Sequence, residues 1–520
     1  MKRFALACAA ALLAAAPLRA QTFATDDPVL RRIWEEGMQR SQAYDLAQTL
    51  LDSIGPRLTG SPGLRAAQEW AVAMYRSWGI EARNEQYGTW RGWRRGITHI
   101  DLIRPRVRTL EGTMLAWSPG TRKPVTGPVV ALPDVRSPAE FEAWLPQVKG
   151  KFVLVSFAQP TCRPDDNWEK WATPESFEKM KAERRAALEA WNARIRATGL
   201  SERQLLSRLE RAGALGILTS RWSQGWGVNK VFDARTERVP MLDLSCEDYG
   251  LLFRLAERGQ GPVIRVEAEA EFLGQVPVFN TIAVIPGTER PDEYVLLSAH
   301  FDSWDGASGA TDNGTGTVTM MEAMRILKAA YPNPKRTILA GHWGGEEQGL
   351  NGSRAFAADH PEIVAGLQAL FNQDNGTGRV ATISMQGFTG AAAHFGRWLA
   401  QVPEEITRHI TLVIPGSPGS GGSDYASFVC YGAPAFNLSS LYWDYGTYTW
   451  HTNRDTFDKI SIDDLKNNAV LTAMLAYLAS EDPERVPRDR RVLPVDPNTG
   501  QPRSWPECRA AQRNAPLAAE

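Results

Sequence analysis

The chain has 520 residues, of which 43% are hydrophobic and 22% are charged, and its formal net charge is −1. This length and composition predict two or three globular domains with substantial cores. The near-neutral charge and the lack of a dense Lys/Arg run argue against a nucleic-acid partner, and no apolar run reaches the length of a transmembrane helix.

Residues 1–20 are predicted to be an export signal. MKRF is positively charged, ALACAAALLAAAP is apolar, and LRA before Gln21 is typical of a cleavage site. Removing this segment takes away three positive charges and changes the net charge from −1 to −4. We therefore expect a periplasmic or extracellular protein without a stable membrane anchor.

Residues 21–107 are expected to form the first part of a catalytic domain. Apolar residues at three- and four-residue spacing predict helices in VLRRIWEEGMQRSQAYDLAQTLLDSI and SPGLRAAQEWAVAMYRSWG. The second helix is predicted to start at Ser61, with Pro62 in its first turn, and to end at Gly79.

Residues 108–274 predict a separate β-rich insert beside the cleft. KGKFVLVSF, GALGILTS, VPMLDLS and PVIRVEAEAEF are typical of strands, with a helix at LLFRLAERG. We expect Val153 and Ile217 to lie outside the sheet that holds Val295 and Ile338. The charged helical segment around 165–210 is either a lid or homodimer arm over the active site, or a solvated helix on its own domain.

The catalytic domain is predicted to resume at 275–485. Strand-like runs alternate there with helical runs such as TGTVTMMEAMRILKAAY and DDLKNNAVLTAMLAYLAS, which is typical of an α/β sheet with helices on its faces. Residues 486–520 are a Pro- and Arg-rich tail that either wraps the surface or is disordered.

Four cysteines follow the predicted leader, and in an oxidising compartment they allow two disulfides in any of three pairings. Cys162 and Cys246, both in the middle region, are the pair to test first. Cys430 lies in the apolar run SFVCYGAPAF, which favours a buried free thiol, and Cys508 could tie down the tail.

A set of metal-binding residue types occurs in one order between Ser298 and Asp458: His300, Asp312, Glu346-Glu347, Asp374 and His451. The first three clusters follow the apolar runs YVLLSA, TILAG and LQALF, which predict buried strands whose carboxyl ends deliver polar side chains to a crevice.

The chemistry of a two-metal hydrolase explains these residue types. Two divalent ions about 3.5–4 Å apart need a bridging carboxylate, two further protein ligands each and a shared water. Five ligands suffice, and a sixth acidic group takes a proton from the water and gives it to the leaving amine. Adjacent Glu346 and Glu347 can diverge toward these two tasks, so the set predicts a two-zinc peptidase.

These motifs resemble the two-zinc exopeptidases, a family that includes bacterial zinc aminopeptidases and glutamate carboxypeptidases, and above all its carboxypeptidase Q branch. The resemblance runs from LLDSIGPRLTGSPGLRAAQEW through GHWGGEEQGLNGS to HTNRDTFDKIS. It implies an α/β fold: a zinc-exopeptidase mixed sheet flanked by helices, with an inserted β-rich protease-associated domain that VKGKFVLV and RAGALGILTS also resemble.

The resemblance also implies two Zn²⁺ per chain and a role for each site residue. One zinc is bound by His300 and Asp374, and the other is bound by Glu347 and His451. Asp312 bridges the two ions. Glu346 is implied as the catalytic base. Asp302 is implied as a carboxylate that orients the His300 imidazole.

Substrate contacts are less sharply defined by the sequence. Asp424 and Tyr425 lie in the Gly-rich loop VIPGSPGSGGSDYASF, where relatives contact substrate, and a flexible surface loop is the alternative. Trp450 stands where several relatives carry a Tyr or His that stabilises the tetrahedral intermediate. An indole N–H donates one hydrogen bond, so Tyr445, Tyr448 or the zinc ions are alternatives for this task.

The predicted function is a zinc exopeptidase for dipeptides or short peptides, with an aminopeptidase as the alternative. No G-x-S-x-G, H-E-x-x-H, phosphate-loop or dinucleotide motif is present. A glutaminyl-cyclase-like enzyme with one zinc and a receptor-like homologue without catalysis are the alternatives from other classes. His342, next to the glutamates, is expected to serve the strand and not the metal.

Overall fold

The structure, a computed structural model, describes residues 23–374 and 376–515. The export signal predicted in residues 1–20 lies outside these residues. Among the helices that are described, none combines the length and the apolar character needed to cross a bilayer.

Fourteen strands in the described residues form one hydrogen-bonded network. They are β1 Glu81–Arg104, β2 Arg108–Thr109, β3 Gly112–Met114, β4 Val125–Ala131, β5 Phe152–Leu154, β6 Gly216–Thr219, β7 Met241–Leu244, β8 Val263–Ile285, β9 Arg290–His300, β10 Arg336–Trp343, β11 Leu367–Asn372, β12 Val380–Ser384, β13 Thr411–Val413 and β14 Ala435–Ser440. Their order is β13-β12-β14-β11-β9-β10-β8-β4-β5-β6-β7-β3, with β1 paired to β8 and β2 paired to β1.

The helices pack on both ends of this network. They are α1 Pro28–Trp34, α2 Ala43–Gln48, α3 Pro62–Ser77, α4 Pro138–Trp144, α5 Asp165–Trp171, α6 Pro174–Ala197, α7 Glu202–Arg211, α8 Cys246–Glu257, α9 Thr315–Ala330, α10 Asn351–Asp359, α11 Pro361–Gly366, α12 Ala391–Leu399, α13 Glu404–Thr407, α14 Ala426–Val429 and α15 Ile462–Glu481. Ser61 caps α3 as predicted, since its side chain accepts the Leu64 N–H. The long helices α9 and α15 also match their predicted runs.

The catalytic part of the network is a mixed sheet. β10, β9, β11 and β14 run parallel to one another, whereas β8 is antiparallel to β10 and β12 is antiparallel to β14. β10 and β11 are buried along their whole lengths and β9 is buried from Val295 to His300, as expected when helices cover both faces. Their carboxyl ends lie at one edge, where the polar motifs follow them.

Two hydrophobic clusters divide the molecule. One joins the catalytic strands to α1, α3, α9 and α15, and the other joins the strands and helices of the insert. The insert contains the expected strands β5, β6 and β7, each fully buried, and helix α8. The predicted α/β fold class, a mixed sheet flanked by helices, is confirmed.

The expectation that the insert strands occupy a separate sheet is wrong. β1 and β8 pair with each other along nearly their whole lengths, from Glu81–Val284 to Arg104–Val263. β8 also pairs with β10 at one end and with β4 at the other. This two-stranded ribbon carries hydrogen bonding across both clusters, so Val153 and Ile217 join the same network as Val295 and Ile338. The expected boundary at 274/275 falls within β8.

The cysteines form two disulfides, Cys162–Cys246 and Cys430–Cys508. The first pair is the one proposed from the sequence. The expectation of a free thiol at Cys430 is wrong, because Cys508 of the tail reaches it from the far end of the chain. The tail, in residues 486–515, lies along the surface and forms isolated bridges to Phe388 and Thr89.

The charged helical arm packs on the insert. Met180 and Trp191 are its buried residues on α6, and the Trp191 ring contacts Phe253 of α8 at 6.1 Å. Most of the arm is solvated, in agreement with the second of the two expectations. The start of α5 also lines a cavity whose lining includes Trp450.

Candidate metal centre and active site

Three neighbouring strands deliver the polar motifs to one edge of the sheet. His300 is the last residue of β9, Glu346 and Glu347 follow β10, and Asp374 follows β11. Because parallel strands place their carboxyl ends together, these motifs converge although 74 residues separate the first from the last. Asp312 joins them from the segment before α9, and His451 from the segment after β14.

The first group consists of His300, Asp312 and Asp374. His300 Nε2 lies 3.0 Å from Asp374 Oδ1 and 3.3 Å from Asp312 Oδ1. The opposite ring nitrogen, Nδ1, lies 2.9 Å from the Asp302 carbonyl oxygen. One nitrogen therefore points into the group while the other is held by the backbone, which is the usual arrangement of a metal-binding histidine.

The second group shares Asp312 with the first and adds Glu347 and His451. His451 Nε2 lies 2.9 Å from Glu347 Oε2 and 3.2 Å from Asp312 Oδ2. The two oxygens of Asp312 thus face different histidines. Its carboxylate occupies the position of a bridge between two ions.

The residues fit metal ions in their spacing and in their unmet polar atoms. Two ligands bound tetrahedrally to one zinc at about 2.0–2.1 Å lie about 3.3 Å apart, close to the contacts within each group. Asp312 Oδ2 and Glu347 Oε1 are buried and have no hydrogen-bond partner among the described residues. A buried carboxylate oxygen needs a donor or a cation, so both groups have the composition and geometry of cation sites.

The local electrostatics favour a cation as well. Burial raises the pKa of Glu347 to about 7, and the nearby Asp312 carboxylate adds to this shift. Burial alone lowers the pKa of His451, but Glu347 and Asp312 outweigh it and raise that pKa to about 9. Negative charge therefore adds to the effect of burial at Glu347 and outweighs it at His451. A divalent ion between these side chains relieves the repulsion among the carboxylates.

Glu346 and Glu347 diverge, as the sequence suggested. Glu346 is outside both ligand groups, and its neighbours in electrostatic range are His300, Asp374 and Asp424. Burial raises the pKa of Glu346 well above its usual value, and the two aspartates contribute. Glu347 instead contacts His451 of the second group. The pair therefore places one free carboxyl beside the first group and one ligand in the second.

Asp302 lies where expected but makes a different contact from the one predicted. Its backbone carbonyl, and not its carboxylate, is the closer group to His300, since Asp302 Oδ1 is 3.7 Å from Nδ1. The carboxylate accepts the backbone N–H groups of Glu346 at 3.1 Å and Glu347 at 3.3 Å. Asp302 therefore positions the glutamate pair, because the turn after β10 folds over it.

Two buried charged residues that the sequence did not single out support this edge. Asp455 accepts the backbone N–H groups of Thr311 at 2.8 Å and Asp312 at 3.1 Å. Arg57 is fully buried and donates to the carbonyls of Phe301, Ser308 and Gly309. Asp455 lies in HTNRDTFDKIS and Arg57 in GPRLTGS. Their roles depend on hydrogen bonds to backbone groups, which a sequence pattern does not reveal.

Trp450 and Tyr445 lie on the solvent side of the second group. The Trp450 ring is 38% exposed and stacks on the His451 imidazole with 4.0 Å between centroids. Tyr445 is half-buried, and its hydroxyl has a pKa well above 10 because of burial and the nearby Asp312 and Asp374 carboxylates. A phenol that stays protonated can donate a hydrogen bond. Tyr448 lines the cavities farther out.

Asp424 does not lie on the substrate rim, contrary to the expectation. It is fully buried, and neither carboxylate oxygen has a hydrogen-bond partner in the described part of the chain. Burial raises the pKa of Asp424 to about 7, with His300 opposing the shift. The neighbouring Tyr425 is half-buried and approaches Gly419 of the same loop. Asp424 is thus a buried neighbour of the first group.

His342 serves the strand, in the way the sequence suggested. It is fully buried in β10, and its Nε2 lies 2.6 Å from the Tyr75 hydroxyl of α3. Burial lowers the pKa of His342 to about 3, so the ring is neutral. It belongs to neither ligand group.

Two cavities border the segment 442–450, and each is lined by a residue next to a ligand, Trp450 in one and Thr311 in the other. One, of about 590 Å³, lies between the start of α5 and Trp450, and its lining includes Asp165, Asp166 and Asp444. The other, of about 330 Å³, includes Thr311 and Tyr445 together with Arg454 and Lys459. Tyr442, Asp444 and Tyr448 line both cavities. The larger cavity is therefore acidic, and the smaller one combines Arg454 and Lys459 with the Asp444 carboxylate.

Comparisons with known proteins agree with this geometry. Residues 280–476 match the family model described as Peptidase family M28. Carboxypeptidase Q of Mus musculus is 25% identical over 452 residues, which cover 87% of this chain and 88% of that protein.

Solved structures share the fold. The Peptidase M28 precursor from Shewanella amazonensis SB2B has a TM-score of 0.63 and 24% identity, over 88% of this chain and 97% of that one. BSAP, a zinc aminopeptidase from Bacillus subtilis, has a TM-score of 0.54 and 18% identity, over 86% of this chain and 96% of that one.

The fold, the acidic strand-end site and the matched relatives define a metallo-exopeptidase, a hydrolase of peptides. Both candidate ligand groups lie inside the segment matched by the family model. Residues 280–476 thus form a Peptidase family M28 domain, which confirms the resemblance drawn from the motifs.

Proposed function

We propose that this protein is an exported, two-zinc exopeptidase that hydrolyses dipeptides or other short peptides. The observation that carries the proposal is Asp312, whose two carboxylate oxygens face His300 of one ligand group and His451 of the other. We assign His300 and Asp374 to one ion, Glu347 and His451 to the second, and Asp312 to both.

When bound, the two zinc ions lower the pKa of a shared water and polarise the scissile carbonyl. Glu346 lies beside the first group without belonging to it, so it is free to accept the proton of the water and pass it to the leaving amine. Asp302 holds the backbone of Glu346 in place. We assign Tyr445 as the hydrogen-bond donor to the developing oxyanion, because its hydroxyl remains protonated and lies in electrostatic range of Asp312 and Asp374.

The cleft supports short peptides with both termini free. Asp165 and Asp166 in the larger cavity are suited to an α-ammonium group, Arg454 and Lys459 in the smaller one are suited to an α-carboxylate, and Asp444 lines both. A dipeptide carries both charges within a few ångströms of the scissile bond. The similarity to Carboxypeptidase Q supports the same activity.

Blocked peptides test the specificity. A dipeptidase should hydrolyse a free dipeptide and lose activity when either the amino or the carboxyl terminus is blocked. An aminopeptidase, the second candidate, should accept a C-terminal amide and reject an N-acetyl peptide. The reverse preference would identify a carboxypeptidase, and lack of turnover of all forms by zinc-loaded protein would support the receptor-like alternative.

Metal content tests the two-zinc assignment. Elemental analysis of purified protein should give two zinc ions per chain, and a chelator should abolish activity. One tightly bound zinc with full activity, together with cyclisation of an N-terminal glutamine peptide, would support the glutaminyl-cyclase-like alternative instead.

Export is proposed from the leader-like residues 1–20 and is supported by the two disulfides, which persist in oxidising compartments. Expression with the native leader should give a protein in the periplasm or medium whose first residue is Gln21. Full-length protein that stays in the cytoplasm would contradict this part of the proposal.

A further inference from the structure

The two histidines of the site are held in different ways. His300 Nδ1 contacts the Asp302 carbonyl at 2.9 Å, whereas His451 Nδ1 is buried and has no hydrogen-bond partner in the described residues. A metal-binding histidine is normally oriented by a hydrogen bond from its second ring nitrogen. The orientation of His451 must therefore depend on something else.

Aromatic packing surrounds the His451 ring. Trp450 stacks on it at 4.0 Å with an interplanar angle of 27°. The Phe232 ring meets it edge-on at 5.0 Å, and Trp304 lies at 5.8 Å. Phe232 also contacts Trp450 at 6.1 Å. These rings restrict rotation of the His451 imidazole, a task that a hydrogen bond to Nδ1 performs in other metal-binding histidines.

Lys230 fixes the tryptophan of this packing. Its ammonium lies 4.4 Å from the centre of the Trp450 ring, a cation–π distance. The same ammonium donates to the Trp450 carbonyl at 2.6 Å and to the Gly446 carbonyl at 3.3 Å. Lys230 is buried, so these contacts are shielded from competing water.

The backbone around Lys230 also pairs with the segment that carries His451. Val231 N–H donates to the His451 carbonyl at 2.8 Å, and Asn453 N–H donates to the Asn229 carbonyl at 3.1 Å. His451 has a positive φ of 57°, a conformation that persists when its surroundings enforce it. Asn229–Phe232 belongs to the insert, about 220 residues before His451, and supplies that enforcement.

We infer that Lys230, acting through Trp450, is a positioning residue for His451, and that the insert thereby completes the second ligand group. This inference rests on the two-zinc assignment above. Lys230 belongs to neither ligand group. Its effect is to keep the imidazole in the orientation that binds zinc, so its loss should weaken one of the two ions and leave the other in place.

The test compares three lysine variants. Lys230→Met keeps the length and apolar stem but removes the ammonium, and Lys230→Arg restores a cation. Lys170→Met is the matched control, because Lys170 also lies in the insert with its ammonium 4.9 Å from a tryptophan ring, here the 78% exposed Trp171. Zinc per chain and the affinity of each zinc are measured by chelator competition, at a temperature where every metal-free variant is folded by circular dichroism.

Lys230→Met should retain one tight zinc and bind the second about 10–100-fold more weakly, the usual range for loss of a group that orients a ligand. Lys230→Arg should regain most of this affinity, and Lys170→Met should match the wild type. A purely structural role would lower the melting temperature of the metal-free protein without changing either zinc affinity.

The outcomes separate this inference from the proposed function. Wild-type protein with fewer than two zinc ions contradicts the two-zinc assignment. Two zinc ions in the wild type, with both unchanged in Lys230→Met, overturns the role of Lys230 alone. If Lys230→Met does not fold, Trp450→Leu, which removes the ring between Lys230 and His451, decides by the same criterion: an unchanged second zinc overturns the inference.

Discussion

The ligand group around His300 is held entirely by the catalytic domain, whereas the group around His451 is held from two distant parts of the chain. His300, at the end of β9, is fixed by a carbonyl two residues away and by its strand neighbours. His451 has a positive φ and relies on aromatic rings and on backbone pairing with the insert. One group is therefore a property of the fold, and the other requires two domains to meet.

The largest expected effect is on kcat, and it distinguishes Glu346, beside the first group, from Glu347, a member of the second. Glu346→Gln should keep both zinc ions and lower kcat by about 10²–10⁴-fold, because it removes only the proton acceptor. Glu347→Gln is the matched control: it should lose the second zinc, since a neutral amide is a poor ligand, and excess zinc should restore part of the rate. Metal loss in the first variant with retention in the second would reverse the assignment.

Asp302→Asn should affect both groups at once, because the Asp302 carboxylate accepts N–H groups from both glutamates. An asparagine offers one acceptor oxygen and turns its amide N–H₂ toward the other N–H group. Zinc affinity and kcat should each fall about 10–100-fold, measured by chelator competition and dipeptide turnover. Thr59→Val, which removes only the hydroxyl donor to Asp302, should have a smaller effect; equal effects would argue against this role.

The two disulfides offer a matched pair for the comparison. They close spans of 84 and 78 residues, so a chain-entropy model predicts a similar loss of about 4–5 kcal/mol for each. Cys246 follows β7, whose Asp243 carbonyl accepts from Asn229. Replacing Cys162 and Cys246 by serine should therefore weaken the second zinc by a few-fold, on the order expected for a distant support, whereas replacing Cys430 and Cys508 should not. Equal zinc binding in folded samples of both would show that the insert does not need this bridge to hold His451.

The smallest expected effect lies far from both groups, at Asp482. The Asp482 carboxylate accepts hydrogen bonds from Trp398 and His394. Burial raises the pKa of Asp482, but hydrogen-bond donors, including Glu484 N–H and Arg397, outweigh burial and keep this pKa below the usual value. A depressed folded-state pKa gives stability that is present above the unfolded-state pKa of about 3.9 and is lost as the pH falls through the folded-state value.

Asp482→Asn should therefore lower the free energy of unfolding by about 1–2 kcal/mol at pH 7 and flatten its decline below about pH 4. Denaturant unfolding at several pH values measures both. Zinc affinity should not change, and a change would mean that the ligand groups are sensitive to general stability and would weaken the contrast between them.

The sequence was informative where chemistry follows directly from local pattern. Apolar runs mark β9, β10 and β11, and parallel strands bring the residues that follow them to one edge, so the convergence of His300, Glu346 and Asp374 could be predicted. Lys230 and Phe232 could not, because they act through contacts with residues about 220 positions away. Asp424 was misplaced because its motif suggests a loop, whereas burial depends on what packs over that loop.

The prediction of a separate sheet in residues 108–274 was wrong for a related reason. The short run PVIRVEAEAEF predicts an ordinary strand, but it is part of β8, which has 23 residues and pairs with the 24-residue β1. Register shifts, including one at Gly92/Trp93, interrupt the alternation that a sequence pattern would need to reveal one long strand. The disulfide at Cys430 was missed because an apolar neighbourhood suits a thiol and a disulfide equally.

The β1–β8 ribbon, about 80 Å of backbone if fully extended, connects the two hydrophobic clusters of the molecule. A rotation of the insert about this ribbon would widen the cleft and would lengthen the hydrogen bond from Val231 N–H to the His451 carbonyl. We therefore expect product departure and exchange of the second ion to share a single mechanical coordinate, so that a peptide held across the cleft slows the loss of zinc.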